Sequence, residues 1–238
     1  MLNDNVKLTG HVSIKKYNEK GDLVQTKEVP NLVVNAGKAF LASRIISDST
    51  YSIMDYMGIG VDASTATVSQ TALVVEVARV QVSSSSASGA NATFTGIFPA
   101  GTPSSSVSLT ECAIYNTPAS AVKTFDGDNN LTSATHVITI TGHGYSTGQK
   151  VTYVDGGGTT IVGLTDGGTY YVIKVDNDNI KLADTLAHAN AGVALSITDG
   201  SGSNHKLIVG DMLARTTFPV ITKSTSETIA ITWTITVG

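Results

Sequence analysis

The sequence predicts an all-β protein: an antiparallel β-sandwich, jelly-roll-like, with one short helix, carrying a small inserted β-barrel or sandwich. Three observations predict it. The final segment, Thr228 to Val237, alternates apolar and hydroxyl residues, the period-2 pattern of a strand with one buried face. Charged residues make up only 14% of the chain, against about 25% in an ordinary soluble domain, so the surface is hydroxyl and amide rather than ionic. The 23 glycines punctuate short Val/Ile/Thr runs at turn-like spacing. At 238 residues the chain is one large β domain or two modest ones.

The elements follow in order. His11 to Tyr17 and Leu23 to Val29 read as a hairpin turning at Asn18-Glu19-Lys20-Gly21-Asp22, and Pro30, lacking an N–H, breaks the ladder. Lys15, Lys16, Glu19 and Lys20 mark the tip as solvated. Asn35 caps the one helix candidate, Ala36 to Ile46, with Phe40, Leu41, Arg44 and Ile45 at helical spacing; Ser47-Asp48-Ser49 ends it. Met54 to Gly60 is a strand. Thr71 to Val82 fits helix and strand alike, and the serine-rich run Ser83 to Gly89 reads as a turn or exposed loop. Ala92 to Phe98, Val107 to Tyr115, Met212 to Ile221 and Glu227 to Val237 complete the strands.

Between these lies a stretch of different character. Thr135 to Thr141, Lys150 to Val154, Tyr170 to Val175, Ile180 to Ala183, Val193 to Ile197 and His205 to Ile208 are short strands separated by glycine and Asp/Asn turns. Residues 123–206 therefore read as an inserted β domain, and 1–122 with 207–238 as its discontinuous host, whose hairpin spans 7–29.

Composition also excludes functions. With 15 Lys+Arg against 19 Asp+Glu, the net charge of −4 lacks the basic stripe that nucleic acid requires. No apolar run approaches the ~20 residues needed to span a bilayer, and the N-terminus has no secretory pattern, so synthesis in a cytoplasm is expected. The single cysteine, Cys112, sits in an apolar alternation and reads as a buried small hydrophobe.

No motif carries catalysis. Gly144-Tyr145-Ser146-Thr147-Gly148 matches a nucleophile elbow in letters, but leads into a strand where that elbow needs a helix. His136 and His143 lack a carboxylate at ligand spacing. Asp126-Gly127-Asp128-Asn129-Asn130 begins like a calcium loop but has Leu131 where glycine and Val137 where glutamate belong. Gly58-Ile59-Gly60 has no lysine to make a phosphate cradle. The Asn91 and Asn130 triplets are glycosylation sites only in a secretory pathway. Glu111, inside a strand, suits a structural hydrogen bond. Neither cofactor nor metal is expected.

Asn31-Leu32-Val33-Val34-Asn35-Ala36-Gly37-Lys38, Met57-Gly58-Ile59-Gly60, Thr71-Ala72-Leu73, Ala78-Arg79, Leu109-Thr110-Glu111-Cys112-Ala113-Ile114-Tyr115-Asn116, Asp211 to Val220, and Ile231 to Thr236 form a set of stretches. Together they resemble a family of tailed-bacteriophage virion structural proteins. In similar proteins the stretches ending near Asn116 and beginning near Met212 follow each other after a short turn. Here the insert separates them, and Cys112-Ala113 replaces an Ala-Gly pair. The insert resembles small β modules of phage and adhesin-like sequences. The resemblance implies a non-enzymatic virion protein, made in the host bacterial cytoplasm and partnered by the major capsid protein or tail proteins. A head decoration (cement) role, a homo-trimer and an outward-projecting insert are the expectations. The alternative is a tail, baseplate or fibre-associated component binding a host receptor or surface glycan through Tyr145, Tyr153, Tyr170 and Tyr171. The competing claim on those tyrosines is the insert's own core.

Overall fold

A computed structural model describes residues 7–45, 52–119, 122–198 and 200–238. The first part of the chain forms β1 (Leu8–Tyr17), β2 (Leu23–Pro30), β3 (Leu32–Val33), α1 (Asn35–Ile45), β4 (Tyr56–Gly60), β5 (Glu76–Ser88), β6 (Asn91–Phe98) and β7 (Val107–Tyr115). The next stretch supplies β8 (Val122–Phe125), β9 (Leu131–Thr132), β10 (Val137–Thr139), β11 (Lys150–Val154), β12 (Thr169–Lys174), β13 (Asn179–Ala183), α2 (Leu186–Asn190) and β14 (His205–Ile208). The chain ends with β15 (Met212–Lys223) and β16 (Thr228–Val237). The protein is all-β.

Two compact units result: Met1–Ala119 with Asp211–Gly238, and Ser120–Gly210. On the host side, Asn116 N–H donates to Asp211 O at 3.3 Å, and Asp211 N–H donates to the Asn116 side-chain oxygen at 2.7 Å. On the insert side, β8 and β14 run antiparallel with Val122 opposite Ile208. The chain thus leaves and rejoins the host at neighbouring points, the arrangement in which a domain can be spliced in without prising the host open.

The host is one antiparallel sheet in the order β2-β1-β16-β6-β5-β4-β7-β15-β3. It bends at β5, whose residues Glu76–Gln81 pair with β4 and Val82–Ser88 with β6. Its two edge strands are separated in sequence by Asn31 alone. Asn31 N–H donates to Gly10 O, and Thr216 Oγ1 donates to Pro30 O at 2.6 Å. The sheet is therefore nearly closed, and the expected sandwich is a single sheet folded over one core. That core holds Val12, Ile14, Met57, Phe98, Ile114, Ile231 and the fully buried Trp233.

β16 shows why the alternation was readable. It is paired over its length to β1 and β6, burying Ile229, Ile231, Trp233 and Ile235 and turning Thr228, Thr232, Thr234 and Thr236 to the other face. α1 begins at Asn35 as expected; a Cβ on Gly37 would lie 2.1 Å from Leu213 O, so only glycine lets the helix seat against β15. The expected helix stop at Ser47-Asp48-Ser49 lies outside the described residues.

Several expectations are corrected. The ambiguous 71–82 stretch becomes strand only from Glu76. The serine run is not a loop: Ser84, Ser86 and Ser88 sit opposite Thr95, Thr93 and Asn91 of β6, and Ser83 Oγ donates to Thr95 O at 2.8 Å. Serine is a poor strand former in isolation, but cross-strand partners decide the outcome. Lys16 is not solvated; it is 17% exposed and pairs with Glu227 at 3.0 Å.

The insert is a seven-stranded antiparallel sheet in the order β8-β14-β11-β12-β13-β10-β9. Val193–Ile197 is not a strand, and a short helix, α2, precedes it with Thr185 as its cap. The 135–141 strand shrinks to Val137–Thr139, since His136 adopts a left-handed φ of 56°.

Candidate functional site

Two buried polar clusters, one in each unit, are the most organised side-chain chemistry among the described residues. In the host, Glu111 of β7 and Arg215 of β15 are both fully buried. Arg215 donates from Nε and Nη2 to Glu111 Oε2 at 2.9 and 2.8 Å. Its Nη1 donates to Ser64 O and Gln70 Oε1, each at 3.0 Å, and Asp62 lies 3.5 Å from Nη2. Glu111 also accepts from Val75 N–H at 2.9 Å and Val74 N–H at 3.3 Å. Gly60 leaves the space: a Cβ there would stand 2.3 Å from Glu111 Oε1. The bond from Ser64, reinforced by Arg215, holds the Asp62 carboxyl below its ordinary range.

A second ion pair lies alongside. Arg79 makes a two-pronged contact to Glu76 at 2.8 and 2.7 Å and donates to Thr117 O. Its guanidinium lies 3.6 Å over the ring of Tyr115, whose hydroxyl accepts from Leu73 N–H at 2.7 Å. Desolvation pushes the Tyr115 hydroxyl far above its ordinary pKa. Together these groups clamp the 61–75 segment, with Ala72 and Leu73 buried. Glu111 is thus a structural acceptor, as the sequence suggested. Its partner Arg215 was missed; the available signal was one arginine directly after the apolar run Met212-Leu213-Ala214 of a strand, where burial demands a counter-charge.

In the insert, the four tyrosines offered as a glycan platform divide three to one. Tyr145, Tyr153 and Tyr170 are buried, at 3%, 0% and 8% exposure. Tyr145 donates to Leu207 O, and the Tyr170 hydroxyl accepts from Thr165 N–H at 2.8 Å. The Tyr153 hydroxyl is 2.7 Å from Nδ1 of the buried His205 and accepts from Ile161 N–H at 3.1 Å. Nε2 of His205 faces Ser201 O at 3.1 Å and must donate to it, so Nδ1 accepts from Tyr153. Only Tyr171 is half-buried. The stacking expectation is therefore corrected for three residues: a small sheet has few large side chains to fill its core and uses these.

His205 is the residue the sequence reading overlooked. Two other loops converge on it through glycine: a Cβ on Gly127 or Gly158 would come within 2.6 or 3.3 Å of its Nε2. Desolvation pushes the Tyr153 hydroxyl up to about 12. A proton held more tightly in the fold stabilises it fully below the unfolded value near 10 and stops doing so as pH rises through about 12. The insert is accordingly expected to lose stability over that alkaline window, read as phenolate absorbance rising together with loss of amide protection in β11 and β14.

The remaining motifs resolve as turns. Gly144 and Gly148 have left-handed φ of 73° and 86°, and exposed Ser146 sits in the turn between them. Buried His143 accepts from Tyr145 N–H at Nδ1 and meets Asp176 O at Nε2. His136 Nδ1 contacts Ile197 O at 3.0 Å. The Asp126 carboxylate accepts from Asp128 and Asn129 N–H, fastening its own turn. Among the described residues, no group of three or more His, Cys, Asp or Glu could hold a metal ion. No helix among them is long and apolar enough to cross a membrane. Burial raises the Cys112 thiol well above its ordinary pKa, leaving it unreactive.

No family model, curated protein or solved structure matches this chain.

Proposed function

We propose that this is a non-enzymatic structural protein of a tailed-phage virion, a head decoration (cement) protein whose host unit docks on the major capsid protein and whose inserted unit is displayed. The observation that carries the reading is the outer face of the host sheet. Across β1, β16, β6 and β5 it presents successive rows Ser13-Thr232-Thr95-Ser84, His11-Thr234-Thr93-Ser86 and Thr9-Thr236-Asn91-Ser88. Apart from His11, which pairs with Glu28 at 3.1 Å, these are short hydroxyl and amide side chains that lose little rotamer entropy on docking. Repeated over a lattice, many modest contacts of this kind become effectively permanent.

The receptor- or glycan-binding tail reading is the weaker one, because Tyr145, Tyr153 and Tyr170 are occupied within the insert core. Deleting residues 120–210 and joining the paired ends near Asn116 and Asp211 tests the choice. Virions carrying the deleted form are expected to keep their resistance to heat, and virions lacking the whole protein to lose it. Stable virions that fail to adsorb after insert deletion would favour the tail reading instead.

A further inference from the structure

We propose that residues 61–75 form a hinged cover, which lifts from and settles back onto an intact host sheet as one unit. The inference stands independently of the virion reading. The segment joins β4 to β5 and contains neither strand nor helix. Its ends meet: Gly60 pairs with Glu76 as the last rung of the β4–β5 ladder, and Val61 N–H donates to Val75 O at 3.0 Å. A connection of this length with touching ends is an Ω-loop, a class that is frequently functional. Because the last rung belongs to the ladder rather than to the loop, the loop can lift without parting any two strands.

What holds the loop down is chiefly polar. Of its residues only Ala72 and Leu73 are buried, Leu73 against Val34, Ala113, Tyr115 and Met212. The other anchors are hydrogen bonds: Val74 and Val75 N–H to Glu111, Leu73 N–H to the Tyr115 hydroxyl, Arg215 to Ser64 O and Gln70, and Asn35 N–H to Val68 O at 2.8 Å. Each of those groups finds water when the loop lifts, so the net worth of each bond is a small part of its gross strength. The charges push in the same direction. Glu111 and Arg215 lie beneath the loop with side chains 0% exposed, and lifting it restores their hydration while their own pairing stays intact. An apolar cover of the same size would have no such compensation.

The host core lies on the other side of β7. Cys112 and Ile114 pack into it, whereas Glu111, Ala113 and Tyr115 face the loop. Opening therefore uncovers one face of β7 and β15 and leaves the packing around Trp233 in place. Local openings of this kind draw on the low end of a protein's stability spectrum rather than on its global value.

Native-state hydrogen exchange on the full chain tests this. The bonded amides of Leu73, Val74 and Val75 are expected to exchange together, faster than those of β7 and β15 and with little acceleration by low urea. Leu73→Ala removes the loop's one large buried side chain and is expected to speed exchange at Val74 and Val75 roughly thirtyfold or more, leaving β1, β6 and β16 unchanged. An arginine-selective dicarbonyl reagent, applied to the folded protein, is expected to label Arg215, and to label it faster in that variant. Loop amides that exchange only with global unfolding would overturn the proposal. So would a Leu73→Ala variant that speeds exchange evenly across the host or leaves the loop unchanged, or an Arg215 that resists labelling in both proteins. Should the variant not fold, the wild-type comparison of loop and strand amides decides alone. None of these outcomes bears on the decoration reading, whose docking face lies on β1, β16, β6 and β5.

Discussion

Arg215→Met is expected to lower host stability by about 3–5 kcal/mol, because it strands the Glu111 carboxylate in the core without its counter-charge. At this size that is roughly a 10 °C fall in melting temperature. Trp233, the sole tryptophan, is fully buried in the host core and reports the transition by fluorescence. The loss has two parts. The ion pair itself has been drawn out of water at large cost, so its net worth is small; the orphaned charge is what destabilises. Removing both charges as Glu111→Leu with Arg215→Met should therefore recover part of the loss. Recovery stays incomplete, since Val74 and Val75 N–H and Ser64 O lose their partners. If the single variant melts within a degree of the wild type, the buried clamp does not exist as described.

Tyr153→Ala is expected to be as damaging, but in the other unit. It empties a fully buried aromatic site and removes the acceptor for Ile161 N–H and the donor to His205. Large-to-small changes of this kind cost about 3–5 kcal/mol. Hydrogen exchange resolved by peptide should show lost protection across β11, β12 and β14 with the host strands unchanged. Tyr171→Ala, at a half-buried position, should cost far less. Equal and small effects at both positions would return the tyrosines to the surface and revive the stacking platform.

These two clusters also mark how far the residues alone could be read. Strands with strict period-2 alternation, β16 above all, were legible because one face must be buried and the pattern says which. The insert was legible because its glycine turns and short runs differ from the flanking sequence, and the chain's crossing points at Asn116 and Asp211 are held together as an insertion requires. The serine strand was not legible. Its conformation is set by Thr93 and Thr95 across the ladder rather than by serine, and local composition points the other way. Nor was the pairing of Glu111 with Arg215, partners 104 residues apart that only the adjacency of β7 and β15 brings together. His205 was hidden for the same reason: the glycines that make room for it lie in two other loops.

The hydroxyl rows and the spliced unit together support a division of labour between docking and display. Imaging virions labelled with an antibody against the inserted unit addresses that division in a single experiment. The account predicts label distributed over the head in a regular lattice, retained when the tail is sheared away. Label confined to the tail, or particles that take up none, would contradict it.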